Sequence, residues 1–358
     1  MTQLERLQKH GIRRLRTSGR GFRYVASNDA KASREDRLRI NTLRIPPAWT
    51  DVAINRSPGG LLQAIGMDAA GRWQYLYHAN HIARGERKKF DRLLKFAQAL
   101  PNMRKVVARE LRKPGLGRER VMACILRILS TCLIRPGSEV YASENGSYGI
   151  ATLRPKHVSL RGDLVAFDFR GKSQVQQHQE LKNRQVARVV RELLKHPAKE
   201  VFKYENGDGD FVNIKRPHIN DYIKEVMGGG FSAKDFRTWA GTLVCACALA
   251  RAGIDLTDTK TSKKRKIVAA IKETAETLGN TPAVCRSAYI CPDVLDSFER
   301  GQVIERYFET VEELVNYRGG NLHQAERALL RLLKRKNNGR PQLLSSKSAS
   351  AKQSASGI

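Results

Sequence analysis

The chain has 358 residues, 41% of them hydrophobic, and a formal net charge of +30 from 65 Lys and Arg against 35 Asp and Glu. That length allows two domains with buried cores, the apolar fraction excludes a disordered chain, and no apolar run approaches the ~20 residues of a membrane span. So large a basic excess favours a polyanion, and because it is spread along the chain rather than gathered on one amphipathic helix, nucleic acid fits better than an anionic membrane.

Up to about residue 90 the chain reads as short strands and turns, punctuated by Pro46-Pro47 and Gly59-Gly60, with aromatic residues at Trp49, Trp73, Tyr75 and Tyr77. From about Lys88, apolar residues Phe90, Leu93, Leu94, Phe96, Ala97 and Leu100 recur at helical spacing up to Pro101, and 122–134 forms a second amphipathic helix. Val165, Phe167 and Phe169 then alternate with smaller or polar residues. The turn Arg170-Gly171-Lys172-Ser173 follows, and a polar strand returns from Gln174, which predicts a hairpin. Ser232 with Asp235 three residues on forms a capping box that opens a helix running to Gly253. A further helix spans roughly 266–278 and stops at Gly279, and Thr281-Pro282 supplies the N-cap and first position of the helix that carries Tyr289. After about Arg335 the composition turns to Ser, Lys, Ala and Gln, a basic disordered tail. Three segments follow from this: a β-rich domain at 1–88, a larger domain at 89–335 and the tail at 336–358.

Several kinds of chemistry can be set aside. The start, Met1-Thr2-Gln3-Leu4-Glu5-Arg6, lacks the apolar stretch of a secretory signal, so a soluble intracellular protein is expected. Cys124, Cys132, Cys245, Cys247, Cys285 and Cys291 contain no C-x-x-C pair, and several lie in apolar runs such as Leu243-Val244-Cys245-Ala246-Cys247-Ala248. They read as buried reduced thiols. His78 and His81 have no Cys or carboxylate cluster beside them, so no metal is expected. Gly171-Lys172-Ser173 resembles the end of a P-loop, but Ala166 occupies the position of its first glycine and a strand follows where a helix is needed. Gly207-Asp208-Gly209-Asp210 lacks the later oxygen ligands of a calcium loop, and no G-x-S-x-G is present. Arg135, Lys172, Arg237 and Tyr289 remain. Taken singly, each has an ordinary reading as a solvated charge or a partly buried ring.

Longer stretches are more specific. Ile45-Pro46-Pro47-Ala48-Trp49-Thr50-Asp51-Val52 resembles a signature of the bacterial and poxvirus-like type IB DNA topoisomerases. So do Gly66-Met67-Asp68-Ala69-Ala70-Gly71-Arg72-Trp73-Gln74-Tyr75, Glu144-Asn145-Gly146-Ser147-Tyr148-Gly149, Lys234-Asp235-Phe236-Arg237-Thr238-Trp239 and the block 279–289. The resemblance covers roughly 10–335 with its motifs in family order. It implies an α+β fold, with a small β-rich N-terminal domain and a larger, mostly helical catalytic domain of the tyrosine recombinase and topoisomerase IB kind. That domain carries a β-hairpin, and the two domains close on duplex DNA as a clamp.

By the same resemblance Tyr289 is the nucleophile, Arg135 and Arg237 clamp the non-bridging phosphate oxygens, and Lys172 at the hairpin turn protonates the departing 5′-oxygen. Asn280 stands nine residues before the tyrosine, where poxvirus members carry histidine, and serves as a neutral hydrogen-bond donor. Gln74, Tyr75, Tyr77 and Tyr141 are implied DNA contacts, although Tyr75 and Tyr77, two apart, equally suit the core face of a strand. Implied too are relaxation of supercoils of both signs through a 3′-phosphotyrosyl intermediate, a monomer on double-stranded DNA, a cytoplasmic, nucleoid-associated location in a bacterium, and no need of ATP or metal. The alternatives are a tyrosine recombinase or integrase, which usually has His-x-x-Arg where this chain has Lys234-Asp235-Phe236-Arg237, and a non-catalytic basic DNA-binding protein.

Overall fold

The computed structural model describes residues 1–19, 21–26, 30–255 and 257–337, and the chain divides into two units, Met1–Asp91 and Arg92–Ile358. The first contains α1 (Gln3–His10), β1 (Ile12–Arg16), β2 (Phe22–Val25), α2 (Arg34–Thr42), β3 (Thr50–Ile54), β4 (Leu62–Met67) and β5 (Trp73–Tyr77). Its strands form one antiparallel sheet in the order β2-β1-β3-β4-β5. Successive side chains of a strand face opposite ways, and both faces here are apolar. Ile12, Val52 and Ile54 pack with Ile40 of α2, while Ala53 and Ile65 pack with Leu7 of α1. An expectation of strands and turns alone misses both helices. Each is short, polar and buries a single residue, which leaves almost no helical period to read. Their caps carry them instead: Thr2 Oγ1 accepts the Glu5 N–H at 3.2 Å, and Ser33 Oγ accepts that of Asp36 at 2.9 Å. Buried Arg14 donates to the carbonyls of Pro46 at 3.0 Å and Trp49 at 2.7 Å, and so holds the double-proline segment in place.

The long helix α3 (Ala79–Glu110) runs through Pro101 rather than ending there. The proline removes one backbone donor but not the apolar stripe, which continues buried at Met103 and Val107. There follow α4 (Arg118–Cys132), α5 (Glu139–Asn145), β6 (Val158–Arg161), β7 (Leu164–Arg170), β8 (Gln176–Lys182), α6 (Arg184–Leu194), β9 (Lys203–Glu205), β10 (Phe211–Asn213) and α7 (Arg216–Met227). The chain then continues through α8 (Ala233–Ala252), α9 (Lys260–Leu278), α10 (Pro282–Ala288), α11 (Pro292–Glu299), α12 (Val311–Asn316) and α13 (Gln324–Asn337). The units meet between Asp91 and Arg92, inside α3. The basic tail expected from residue 336 lies, from 338 onward, outside the described residues.

Except at Lys234, every residue of α8 from 233 to 250 is buried, so this helix is the centre of the second unit. Asp235 fixes its start by accepting the Ser232 N–H at 2.8 Å. The hairpin β7–β8 belongs to a three-stranded antiparallel sheet with β6. Val165, Phe167 and Phe169 are buried on one face of β7. The return strand begins at Gln176 rather than Gln174, because Ser173 and Gln174 both adopt left-handed conformations in the turn, with φ of 62° and 60°. Helix α9 starts at Lys260, earlier than the apolar pattern suggests. Its first turns are lysine-rich, and Thr259 Oγ1 caps them by accepting the Ser262 N–H at 3.1 Å. Residues 207–210 form the β9–β10 turn, where Asn206 Oδ1 accepts the Asp208 and Asp210 N–H groups at 3.0 and 2.8 Å. All six cysteines are buried and none forms a disulfide, and among the described residues no helix is long and apolar enough to cross a membrane.

Candidate active site

Arg237 sits in the second turn of α8 and is only 4% exposed. It donates to the carbonyl of Leu278 at 2.7 Å and to that of Leu133. Leu278 is the last residue of α9, and Leu133 is the left-handed cap of α4. Carbonyls at helix C-termini lack intrahelical donors and stand at the negative end of the helix dipole. One guanidinium therefore ties together the ends of two helices distant in sequence, while its Nε remains unbonded among the described residues.

Tyr289 is the first residue beyond α10, whose start is set by Pro282 and by Thr281 Oγ1 accepting the Val284 N–H at 3.4 Å. Thr242 of α8 donates through its hydroxyl to the Tyr289 carbonyl at 3.1 Å. The preceding residue is a glycine in a tight seat. A Cβ at Gly241 would lie 3.1 Å from both Cβ and the carbonyl of Tyr289, and 3.0 Å from Leu278. The Arg237 guanidinium stands 5.0 Å from the centre of the Tyr289 ring. Burial alone pushes the Tyr289 phenol up. The charge of Arg237 and its hydrogen bonding to the phenol, then the charges of Arg135 and Lys234, outweigh it and hold the phenol below its ordinary range, which favours the phenolate.

Arg135 donates to Asn280 Oδ1. Its carbonyl accepts the Ile150 N–H at 2.9 Å, and a Cβ on Gly149 would lie 2.5 Å from that same carbonyl. The close seat explains the glycine that ends the 144–149 motif. Asn280 follows Gly279, whose φ of 57° closes α9. A Cβ on Gly279 would fall 2.6 Å from Gln177 Oε1, and one on Gly171 would fall 2.8 Å from Gln177 Cγ. The Gln177 side chain thus lies between the residue before Lys172 and the residue before Asn280, which brings the hairpin turn to the cluster. Lys172 itself is exposed, and among the described residues its ammonium has no hydrogen bond or ion pair.

The remaining candidates lie elsewhere. Tyr75 and Tyr77 are 43% and 42% exposed, with ring centroids 6.4 Å apart, so they form an open aromatic pair rather than core. Gln74 belongs to the opposite face of β5, and its amide donates to Asp68 Oδ2 at 2.8 Å. Tyr141, on α5, is 48% exposed and shares no hydrogen bond with the arginine–tyrosine cluster among the described residues. Sequence reasoning did not single out Lys234, Gly241, Thr242 or Gln177. Lys234 had a signal, since it stands three residues before Arg237 and so on the same helical face. Thr242, inside an apolar helix, had none.

Comparison with known proteins gives consistent matches. The family model of the eukaryotic DNA topoisomerase I catalytic core matches residues 79–312, and that of the bacterial DNA topoisomerase IB N-terminal domain matches residues 21–68. The chain is 34% identical over 304 residues to DNA topoisomerase 1B of Acanthamoeba polyphaga mimivirus, covering 82% of this chain and 89% of that one. It is 23% identical over 262 residues to DNA topoisomerase 1B of Vaccinia virus (strain Copenhagen), covering 72% and 80% respectively.

Proposed function

Because the chain belongs to the type IB DNA topoisomerases of the bacterial and viral kind, we propose that Tyr289 is the nucleophile with which it cuts one strand of duplex DNA. The observation that carries this reading is the tyrosine's setting: Arg237 is 5.0 Å from its ring, and Arg135 and Lys234 are close enough to favour its ionised form. An activated oxygen and two guanidinium groups are what a phosphoryl transfer without external energy requires.

The Tyr289 oxygen attacks phosphorus, the bond to the 5′-oxygen breaks, and that oxygen takes a proton from Lys172. The product is a 3′-phosphotyrosyl linkage and a free 5′-hydroxyl. The linkage conserves the energy of the broken bond, so the downstream duplex can swivel and the hydroxyl can reverse the attack. Arg135 and Arg237 neutralise the non-bridging oxygens. Asn280 uses its oxygen to orient Arg135, and its NH2 group, which donates only at 3.4 Å to the Leu278 carbonyl, has a second hydrogen for the phosphate. Tyr75, Tyr77 and Tyr141 are proposed as DNA contacts, and Gln74 joins them once its amide leaves Asp68. A monomer acting on nucleoid DNA, with neither nucleotide nor membrane as a partner, belongs to the same proposal.

With Lys172 as acid and two arginines as charge, supercoiled plasmid of either sign should relax fully in EDTA without ATP. Activity lost in EDTA and restored by magnesium would contradict the scheme. Asn280→Ala removes neutral hydrogen bonds worth about 1–3 kcal/mol, so single-turnover cleavage should slow by roughly 5- to 150-fold. A loss as complete as that from removing the nucleophile would give Asn280 a larger role than orientation.

A further inference from the structure

One charge that the site does not explain lies on α4, eight residues before Arg135. The guanidinium of Arg127 makes no hydrogen bond or ion pair among the described residues, and its Nε is shielded from solvent. It lines a cavity of about 40 Å³ together with Arg104, Trp239, Tyr317 and Glu326. Glu326 is the nearby carboxylate, and it is already engaged. It accepts both terminal nitrogens of Arg104 at 2.8 and 2.9 Å, the Trp239 indole N–H at 3.2 Å and the His323 N–H at 2.8 Å. Arg318, whose side chain donates to the Lys182 carbonyl at 2.9 Å, adds a third guanidinium. Burial, then the charges of Arg318 and Arg104, bring the Arg127 pKa down to about 10, which still leaves it cationic at neutral pH. Arg127 thus feels the positive charges of Arg318 and Arg104 and has no ion pair of its own among the described residues, and a sheltered cation without a counterion is unfavourable.

We infer that this cavity binds a small oxyanion of the inorganic phosphate or sulfate class through Arg127. Its volume exceeds the about 10–15 Å³ that one water needs and is far below the about 300–1,000 Å³ of a nucleotide or drug-sized pocket. The planar guanidinium fork matches two oxygens of a tetrahedral anion. The anion would brace the core behind the active site, since α4 runs from Arg127 to its end at Cys132, three residues before Arg135, and Trp239 stands two residues beyond Arg237 on α8.

Thermal unfolding of the full chain in increasing inorganic phosphate, at constant ionic strength set with sodium chloride, tests this. The wild-type midpoint should rise by a few degrees and saturate. In Arg127→Met, whose net charge differs by one, that increment should vanish while the general salt response remains. Arg127→Lys keeps the charge without the fork and should show a smaller increment, which serves if the methionine variant does not fold. An equal increment in wild type and variant, or none in wild type, would overturn the inference. Duplex binding supplies the other arm. Arg127→Met should keep the wild-type salt slope, whereas a slope shallower by one phosphate, with no phosphate-dependent stabilisation, would assign Arg127 to the DNA backbone instead.

Discussion

Tyr289→Phe should abolish plasmid relaxation and covalent adduct formation while leaving duplex binding intact. The substitution deletes one oxygen and keeps the ring. Thr242 holds the backbone carbonyl of residue 289 rather than its side chain, and Arg237 is anchored by the Leu133 and Leu278 carbonyls. The site should therefore keep its shape, and the unfolding midpoint should change little. The loss is expected on the scale of about 10⁶-fold, as when the nucleophile of another covalent catalyst is removed. Relaxation assays, detergent-quenched adduct gels and binding isotherms on the same preparation separate the chemistry from binding. Adduct persisting on another tyrosine would overturn the assignment.

The second large effect concerns Lys172, and it distinguishes a proton donor from a phosphate clamp. Lys172 sits exposed beside two left-handed residues, Ser173 and Gln174, and no ion pair holds its ammonium among the described residues. If it protonates the leaving 5′-oxygen, Lys172→Ala should slow single-turnover cleavage by roughly 10²–10⁴-fold, the usual range for a general acid. A substrate with sulfur at the 5′-bridging position leaves as a thiolate and needs little protonation. On that substrate the variant should cleave nearly as fast as the wild type. An equal defect on both substrates would remove Lys172 from the acid role and leave it as electrostatic support.

Local pattern made some of this architecture legible. The alternation of Val165, Phe167 and Phe169 announced β7, and the Ser232–Asp235 pair announced the start of α8, because each is a short-range rule written in consecutive residues. Helices α1 and α2 escaped, since one buried residue apiece leaves no period. Continuation through Pro101 escaped because packing at Met103 and Val107 overrides a local breaker. The site was beyond pattern altogether. Arg237 reaches carbonyls 104 and 41 residues away, and no spacing rule encodes such a meeting, so only resemblance to a family could gather Arg135, Lys172, Arg237 and Tyr289. Resemblance also has a limit at Asn280. Its amide reads as a donor standing where relatives carry histidine, yet the fold turns its oxygen toward Arg135, an acceptor role that a protonated histidine could not fill. The exposed pair Tyr75 and Tyr77 makes the same point, because the period of a strand says which residues share a face but not whether that face is covered.

The central claim is a covalent bond between Tyr289 and the 3′ phosphate of a cut strand. Duplex DNA labelled at the 5′ end of its scissile strand would be incubated with the enzyme and quenched with detergent. The adduct would then be digested with protease, and the labelled peptide identified by mass spectrometry. A single modified peptide, spanning residues 287–300 when cut after Arg286 and Arg300, with the nucleotide on Tyr289, is the expected result. Modification at any other residue, or protein found only on the unlabelled downstream fragment so that no labelled adduct forms, would contradict it.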